Sequence, residues 1–298
     1  MQNSNVSVII PFFNSEKYFL QLFECLNQQK LAENDEIIFI DNGSTDNSAI
    51  LVKDFCIKFK NARYIFFNDK SDSYAARNIG VKYSKNEILI FTDSDCLPEP
   101  FWIDEIKKSM KKKTIISGKV NIYIENPSNI WEVFDSNAHM ANNHAEKSRN
   151  IATANMAVYK EDFLKVGKFL ERYSGGDYEW SQRSKNCDMK ILYNKDVIVN
   201  HPPRTTKNQI IKKEARIAYG QGKNDKIKEK NFLKCMIIYI LKIFYLKPQI
   251  KYTKIFIKYN ISFFKIIYFF FYFFHIRIIH IKFFICGYRN IEPRKLHI

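Results

Sequence analysis

Glu87-Ile88-Leu89-Ile90-Phe91-Thr92-Asp93-Ser94-Asp95 is the stretch on which the fold turns. Residues 87–91 read as a buried strand, since a short apolar run bounded by turn residues suits a strand covered on both faces. The run stops in a turn with two carboxylates one residue apart. The same grammar recurs toward the N-terminus. Residues 62–67 read as a strand and 74–83 as a helix. Residues 36–40 form a strand that ends in Asp41-Asn42-Gly43-Ser44-Thr45-Asp46, which is turn chemistry, and Asp46 is the expected N-cap of a helix through Phe59. Residues 6–10 form a first strand, stopped by Pro11. Residues 15–29 follow with apolar positions at 19, 20, 22, 23 and 26, a helical spacing.

Strands alternating with helices predict βαβ units, and so an α/β fold with a mostly parallel central sheet flanked by helices. In such sheets ligands sit beyond the carboxyl ends of the strands. Both acidic clusters, 41–46 and 93–95, fall at such ends. Downstream, 114–125 is strand-like, and 126–150 is Asn-rich and irregular, a loop with a short helix. Residues 157–159 and 160–166 read as strand and helix. Ser174-Gly175-Gly176 is a break before a helix from Asp177, and 190–200 is a last strand before Pro202-Pro203. No internal repeat is visible.

The 298 residues suit one large α/β domain plus an appendage, and 46% hydrophobic residues can bury a sizeable core. The net charge of +16 is unevenly placed. Residues 204–298 carry 21 Lys+Arg against 4 Asp+Glu, whereas 1–203 carry 26 against 27. The last third is therefore a separate basic object that calls for an anionic partner. The six cysteines form no CxxC pair, which fits a reduced, cytosolic protein. The N-terminus lacks a basic and apolar leader, so no signal peptide is expected.

After Pro248, lysines at 251, 254, 258 and 265 are spaced for one helix face, which predicts an amphipathic helical tail. Residues 266–274 form an uncharged aromatic run too short to span a bilayer, which needs about 20 apolar residues. An interfacial helix is preferred to a spanning one.

The chemistry-bearing residues are weak signals singly. Asp93 and Asp95 suit a divalent cation shared with substrate phosphates, but solvated Asp-x-Asp turns are common. Asp41 can accept a hydrogen bond from a base or sugar, or simply close a turn. Arg77 can meet phosphate or form a salt bridge. Asp177 opens a helix after a flexible break, where it serves as a general base or an N-cap. His201 ends a strand and is either structural or a further metal ligand.

Their order carries more. Val-Ile-Ile-Pro-Phe-Phe-Asn (8–14), Ile-Asp-Asn-Gly-Ser-Thr-Asp (40–46), Ala-Ala-Arg-Asn-Ile-Gly (75–80), Phe-Thr-Asp-Ser-Asp (91–95) and Gly-Gly-Asp-Tyr-Glu-Trp (175–180) closely resemble the family 2 inverting glycosyltransferases, which have the glycosyltransferase-A fold. The resemblance covers about residues 6–204, read as the catalytic nucleotide-sugar-binding domain, with 205–298 as a basic, aromatic-rich, membrane-associating region. It implies that Asp41 binds the nucleotide base, with Pro11 and Asn14 beside it. It puts Arg77 near the donor, Asp93 on the nucleoside, Asp95 on Mn²⁺ or Mg²⁺, and makes Asp177 the base. Two departures stand out. The common Asp-Asp-Gly-Ser is Asp41-Asn42-Gly43-Ser44 here, and the usual Glu-Asp pair is Gly176-Asp177.

The resemblance implies an enzyme that moves sugar from a nucleotide-diphosphate donor, expected to be UDP-linked, to a hydroxyl on a sugar or lipid-linked acceptor. Surface polysaccharide or glycolipid synthesis is the expected setting. The basic tail would hold it on the anionic cytoplasmic face of the cell membrane. A nucleotidyltransferase is the rival enzyme, but residues 8–16 lack the Gly, Lys or Arg of a triphosphate loop. A nucleic-acid-binding tail is the rival from another class. The uncharged run at 266–274 argues against it, and nucleic acid is not the expected partner. Acceptor contacts are expected in 126–158, and a chain ending near Lys230 is expected to fold by itself.

Overall fold

The computed structural model describes residues 4–67, 72–138, 151–172 and 174–291. Three apolar runs lie side by side at its centre. Strand β1 (Val6–Phe12) pairs in parallel with β2 (Glu36–Asp41) and with β4 (Ile88–Thr92). All three are buried along their whole length, which is why their sequences are continuously apolar rather than alternating. Strand β3 (Ala62–Phe66) extends the parallel half from β2.

Beyond β4 the sheet becomes mixed. Strand β7 (Asn155–Tyr159) runs antiparallel to β4 and to β6 (Thr114–Ile122), and β8 (Lys190–His201) runs parallel to β6. The full order is β3-β2-β1-β4-β7-β6-β8-β5, with β5 (Leu97–Pro98) antiparallel to β8 at the edge. The parallel expectation thus holds for the first four strands.

Helices cover the sheet. Helix α1 (Glu16–Asn27) turns Phe19, Leu22 and Leu26 inward, and α2 (Ser48–Lys58) adds Val52 and Phe55. Helix α3 (Ser73–Tyr83) packs on the other core cluster and comes so close that a Cβ on Gly80 would lie 2.4 Å from Ile9. Only glycine allows that approach of helix to strand. Helix α4 (Trp102–Ser109), which the sequence pattern did not isolate, buries Trp102, and its indole donates to Asn155 Oδ1 at 2.9 Å. Asp46 is not the N-cap of α2. That position is Asn47, while Asp46 accepts from the Ser48 and Glu16 amides, tying the starts of two helices together.

Two compact units emerge. The first comprises Met1–Ile122, Met140–Glu171 and Gly176–Pro202, and contains the sheet. The second comprises Tyr123–His139, Arg172–Gly175 and Pro203–Ile298. It holds α5 (Ile130–Ser136), α8 (Lys207–Ile227), α9 (Phe232–Ile243), α10 (Lys247–Lys258) and α11 (Phe263–Tyr288). Helices α6 (Lys160–Val166) and α7 (Gly176–Asn186) belong to the first.

The second unit has its own core. Val133 and Phe134 of α5 pack with Ile210, Tyr252, Phe256, Phe269 and Tyr272. Helices α8 and α11 touch backbone to backbone. A Cβ on Gly222 would lie 2.1 Å from the Phe284 carbonyl oxygen, and one on Gly287 would lie 2.0 Å from that of Tyr219. Asp135, fully buried, accepts from Lys213 Nζ at 2.6 Å and from the Arg204 backbone and guanidinium. These two cations hold its carboxyl below the usual range against the opposing cost of burial.

This packing corrects the reading of the tail. Helix α10 ends at Lys258, and Asn260 adopts a left-handed φ of 55° before α11 begins. Lys265 therefore stands on a different helix from Lys251, Lys254 and Lys258. The aromatic run 266–274 is packed on one side, where Phe269 and Tyr272 are core residues, and exposed on the other, at Tyr268 and Phe271. A chain ending near Lys230 would lose α11 and leave the apolar faces of α5 and α8 without cover, which argues against its folding alone.

Candidate active site

The loops after β1, β2 and β4 converge. Asn14, at a left-handed φ of 49°, accepts from the Thr45 amide at 2.8 Å and donates to Thr45 Oγ1 at 3.2 Å. Ser15 meets Ser94 hydroxyl to hydroxyl at 2.8 Å. The motif segments 8–14, 40–46 and 91–95 are thus joined by hydrogen bonds at one sheet edge. Pro11 lies buried in β1, in register with Ile40.

Asp41 is almost wholly buried. One oxygen accepts from the Ser44 amide at 2.8 Å and the other from Tyr64 Oη at 2.9 Å. It braces the turn as well as facing it, and its negative charge together with burial pushes the Tyr64 phenol up. Gly43, at φ 81°, supplies the positive dihedral that this turn needs.

A second set of contacts links α3, the acidic turn and α7. Arg77 is buried, pairs with Asp93 and lies 5.5 Å over the Tyr74 ring. Its Nε has no hydrogen-bond partner among the described residues. Tyr74 Oη donates to Asp177 Oδ1 at 3.3 Å. Asp177 therefore sits inside the first turn of α7 rather than capping it, with its other contact to the Tyr178 amide at 2.9 Å. Burial pushes its carboxyl up, while the Tyr178 amide, Arg77 and Tyr74 pull the other way. A carboxyl so placed holds a proton more readily than a solvated one, which suits a base.

Packing explains why Asp177 is held there. Trp180, one turn on, is fully buried, stacks on Phe163 at 5.3 Å, and donates to the Gly167 carbonyl at 2.8 Å. Asn78 exchanges two hydrogen bonds with the Phe169 backbone, which fixes α3 against the segment below α7. Gly176 has a steric reason: a Cβ there would stand 2.8 Å from the Tyr74 ring. A glutamate at 176 would push Tyr74 off Asp177.

His201 closes the other side. The pairing of β5 with β8 sets Leu97 opposite Asn200 and brings His201 Nε2 to 3.4 Å from Asp95 Oδ2. His201 Nδ1 lies 2.6 Å from the Pro202 carbonyl, so that nitrogen carries the proton. Nε2 faces the Asp95 carboxylate, to which it can donate when the ring is protonated, or with which it can share a cation when the ring is neutral. Cys96 was not singled out in the sequence. Its thiol clusters with Asp93 and Asp95, all within 4.8 Å of one another. Burial and the two carboxylates push that thiol well up, so it is no free thiolate. Carboxylate plus imidazole fits Mn²⁺ better than Mg²⁺, which prefers oxygen alone.

The second unit has an open cavity of about 410 Å³ lined by Trp131, Tyr268, Asn126, Asn129 and Lys265, among others. Of the expected acceptor stretch, 139–150 lie outside the described residues.

The model of Glycosyl transferase family 2 matches residues 7–167, more than half of the chain. The chain belongs to that family. The converging loops and the Asp93–Asp95 turn are thus those of a glycosyltransferase. Glycosyltransferase AglE of Haloferax volcanii is 29% identical over 221 residues, 72% of each protein. A dolichyl N-acetyl-alpha-D-glucosaminyl phosphate 3-beta-D-2,3-diacetamido-2,3-dideoxy-beta-D-glucuronosyltransferase of Methanococcus voltae is 27% identical over 244 residues, 76% of this chain and 75% of that one. Among solved structures, mannosyltransferase PcManGT from Pyrobaculum calidifontis, in complex with GDP-Man and Mn²⁺, superposes with a TM-score of 0.57 at 16% identity. That match covers 72% of this glycosyltransferase and 61% of that chain. S. aureus TarS 1-349 with UDP-GlcNAc gives 0.53 at 19%, covering 72% and 65%. At such identities the likeness establishes the glycosyltransferase-A fold alone.

Proposed function

We propose that this glycosyltransferase transfers a sugar with inversion from a nucleotide-diphosphate donor to an acceptor hydroxyl, with Asp177 as the base. The chain Asp93–Arg77–Tyr74–Asp177, which ties the donor turn to the helix of the base, carries this reading. The acceptor O–H gives its proton to Asp177. Its oxygen bonds to the anomeric carbon, and the bond to the diphosphate breaks with its electron pair leaving on phosphate. One displacement inverts the centre. Arg77 holds Asp93 in place and keeps Asp177 from becoming too weak an acid. Tyr74 orients the carboxylate toward the acceptor. Asp41, Pro11 and Asn14 frame the base-binding loops.

Asp95 and His201 would hold Mn²⁺ or Mg²⁺, which when bound neutralises charge on the departing diphosphate. The relatives' printed ligands include both GDP-Man and UDP-GlcNAc, so the expected UDP needs testing against GDP. The printed name of the Methanococcus protein favours a lipid-linked sugar acceptor. An aromatic and amide lining of the kind at Trp131, Tyr268 and Asn126 suits a sugar. The basic second unit would hold the enzyme on the anionic cytoplasmic face of a membrane, in surface polysaccharide or glycolipid synthesis. The division into a catalytic part to residue 204 and a membrane-associating part from 205 belongs to the same proposal.

The test is turnover of a panel of UDP- and GDP-sugars with Mn²⁺, with and without EDTA. Release of nucleotide diphosphate from one donor, lost in EDTA, is the expected result. Pyrophosphate release from a nucleoside triphosphate, with no sugar nucleotide consumed, would point to nucleotidyl transfer.

A further inference from the structure

Helix α9 (Phe232–Ile243) is apolar nearly all round, yet only Cys235 on it is buried. Its inner side rests on α11: Tyr239 lies 4.3 Å from the Phe284 ring and 5.6 Å from that of His280. Its outer side and the turn after it present Leu233, Ile237, Ile238, Ile240, Leu241, Phe244, Tyr245 and Leu246 to solvent, with Phe244 72% exposed. Scattered exposed leucines need no explanation, but a contiguous set this large marks an interaction surface. A helix whose exposed side is this apolar is not an ordinary surface helix.

By length and composition, α11 (Phe263–Tyr288) is the candidate to cross a membrane among the described residues. Its packing speaks against that. It lies backbone to backbone on α8 through Gly222 and Gly287, and Phe269, Tyr272, Ile276 and Phe283 are core residues, so only its other side, with Phe264 and Phe271, is free to meet lipid. Lifting it into lipid would strip α8 and uncover the buried Glu214, which His280 of α11 faces at 3.6 Å. Helix α9 carries no such burden. Its twelve residues rise only about 18 Å, short of the roughly 30 Å of a hydrocarbon core, so it can lie in a bilayer surface but not span it.

Two further observations fit lipid. Lys234 stands within the apolar side, four residues before Ile238, where its long stem can reach out to headgroups; Lys242 and Lys247 are exposed beyond it, and residues 230–291 carry 11 Lys+Arg and no Asp or Glu. That suits anionic headgroups. The C-terminal carbonyls of α9, which lipid cannot hydrogen-bond, are met from within: the Arg277 guanidinium donates to the carbonyls of Ile243 and Tyr245 and to Gln249 Oε1 at 3.1 Å.

We infer that α9, with the turn 244–246, inserts in the plane of an anionic bilayer and is the hydrophobic anchor of this glycosyltransferase, while α11 stays in the protein core. This rests on the membrane reading above and replaces the aromatic run 266–274 as the inserted element. The lysines of α9 and α10 supply the salt-sensitive part of binding, and the apolar side of α9 the salt-resistant part.

The test is flotation of the full chain with phosphatidylcholine vesicles and with phosphatidylcholine–phosphatidylglycerol vesicles, at low and high salt. Wild type should stay partly bound to anionic vesicles at high salt. Ile237→Glu/Leu241→Glu, both on the solvent side, should lower partitioning at least about tenfold with helical circular dichroism and nucleotide-sugar turnover in solution unchanged. Leu241→Trp, which keeps the site apolar, should shift its emission to the blue on adding vesicles. If high salt or Lys251→Gln/Lys254→Gln/Lys258→Gln releases everything, insertion is wrong and electrostatic docking stands. If no variant or wild type floats, the membrane reading itself fails. If the double glutamate variant turns a dimer into a monomer but still floats, the surface belongs to a second copy of the chain and the inference is overturned.

Discussion

The two units use their side chains in opposite ways. In the first, charges are turned inward onto one another and onto the loops: Arg77 on Asp93, Asp41 under its turn, His201 beside Asp95. Acids and bases nearly balance over residues 1–203. In the second, Asp135 is buried between two cations, Glu132 and Glu214 are buried as well, and most of the lysines face outward among exposed apolar side chains. A buried, crosslinked set of charges suits a site that must hold a polar donor in fixed geometry. An outward mixture of lysine and aliphatic side chains suits a surface that must grip something both anionic and apolar.

The sharpest way to break this contrast is Asp95→Ala. If the first unit is built around a metal–diphosphate site, transfer should vanish and metal-dependent binding of nucleotide diphosphate should vanish with it, as read by calorimetry. Full wild-type activity in EDTA would remove the metal from the account. Next comes Phe269→Ala in the core of the second unit. A buried phenylalanine of this kind costs about 3–5 kcal/mol on truncation, so thermal unfolding should begin markedly earlier. An unchanged melt would mean that α11 is not core. Gly176→Ala should cost about tenfold in kcat, roughly 1.4 kcal/mol, because the new methyl group must displace Tyr74. Donor binding should hold. Smallest are the lysines at 251, 254 and 258: each replaced by glutamine should weaken binding to anionic vesicles by about 1 kcal/mol, with no change in turnover of donor in solution.

Much of the first unit could be read from the residues, because its signals are local. Strands β1, β2 and β4 are short apolar runs legible to within about two residues; β1 runs through Pro11, which was expected to stop it, and ends at Phe12. The acidic ends were legible for the same reason. His201 was legible as a further candidate ligand, but the pairing that brings it to Asp95 was not. It depends on β5, two residues long and too short for any periodicity, and on pairing across about a hundred residues. Cys96 is not legible as a site residue, because a lone cysteine carries no spacing signal. Asp46 has the composition of an N-cap, but its carboxylate serves two helices at once from one position earlier. The second unit was hardest. Uniform apolar character in α9 and α11 does not say which faces protein, and only the glycines at 222 and 287 record that α11 lies on α8. Lysine spacing suggested one helix to residue 265 where Asn260 breaks the chain.

The central claim is that Asp177 takes the acceptor's proton, and Asp177→Asn tests it most directly. Asparagine keeps the size and can still accept from Tyr74, but it cannot take a proton. A stability control shows whether the surroundings of this half-buried carboxyl raise its pKa. Because burial raises its folded pKa, the protonated form is favoured. That contribution is complete below the unfolded value and is lost as pH rises through the folded one. Asparagine stays neutral, so the variant should melt above wild type in mild alkali and lose that advantage toward acid. With folding so verified, kcat of the variant should fall by at least about 10²-fold while the dissociation constant for the donor stays near that of wild type. A variant that turns over at the wild-type rate would contradict the account, and would leave Asp177 as a structural residue of α7.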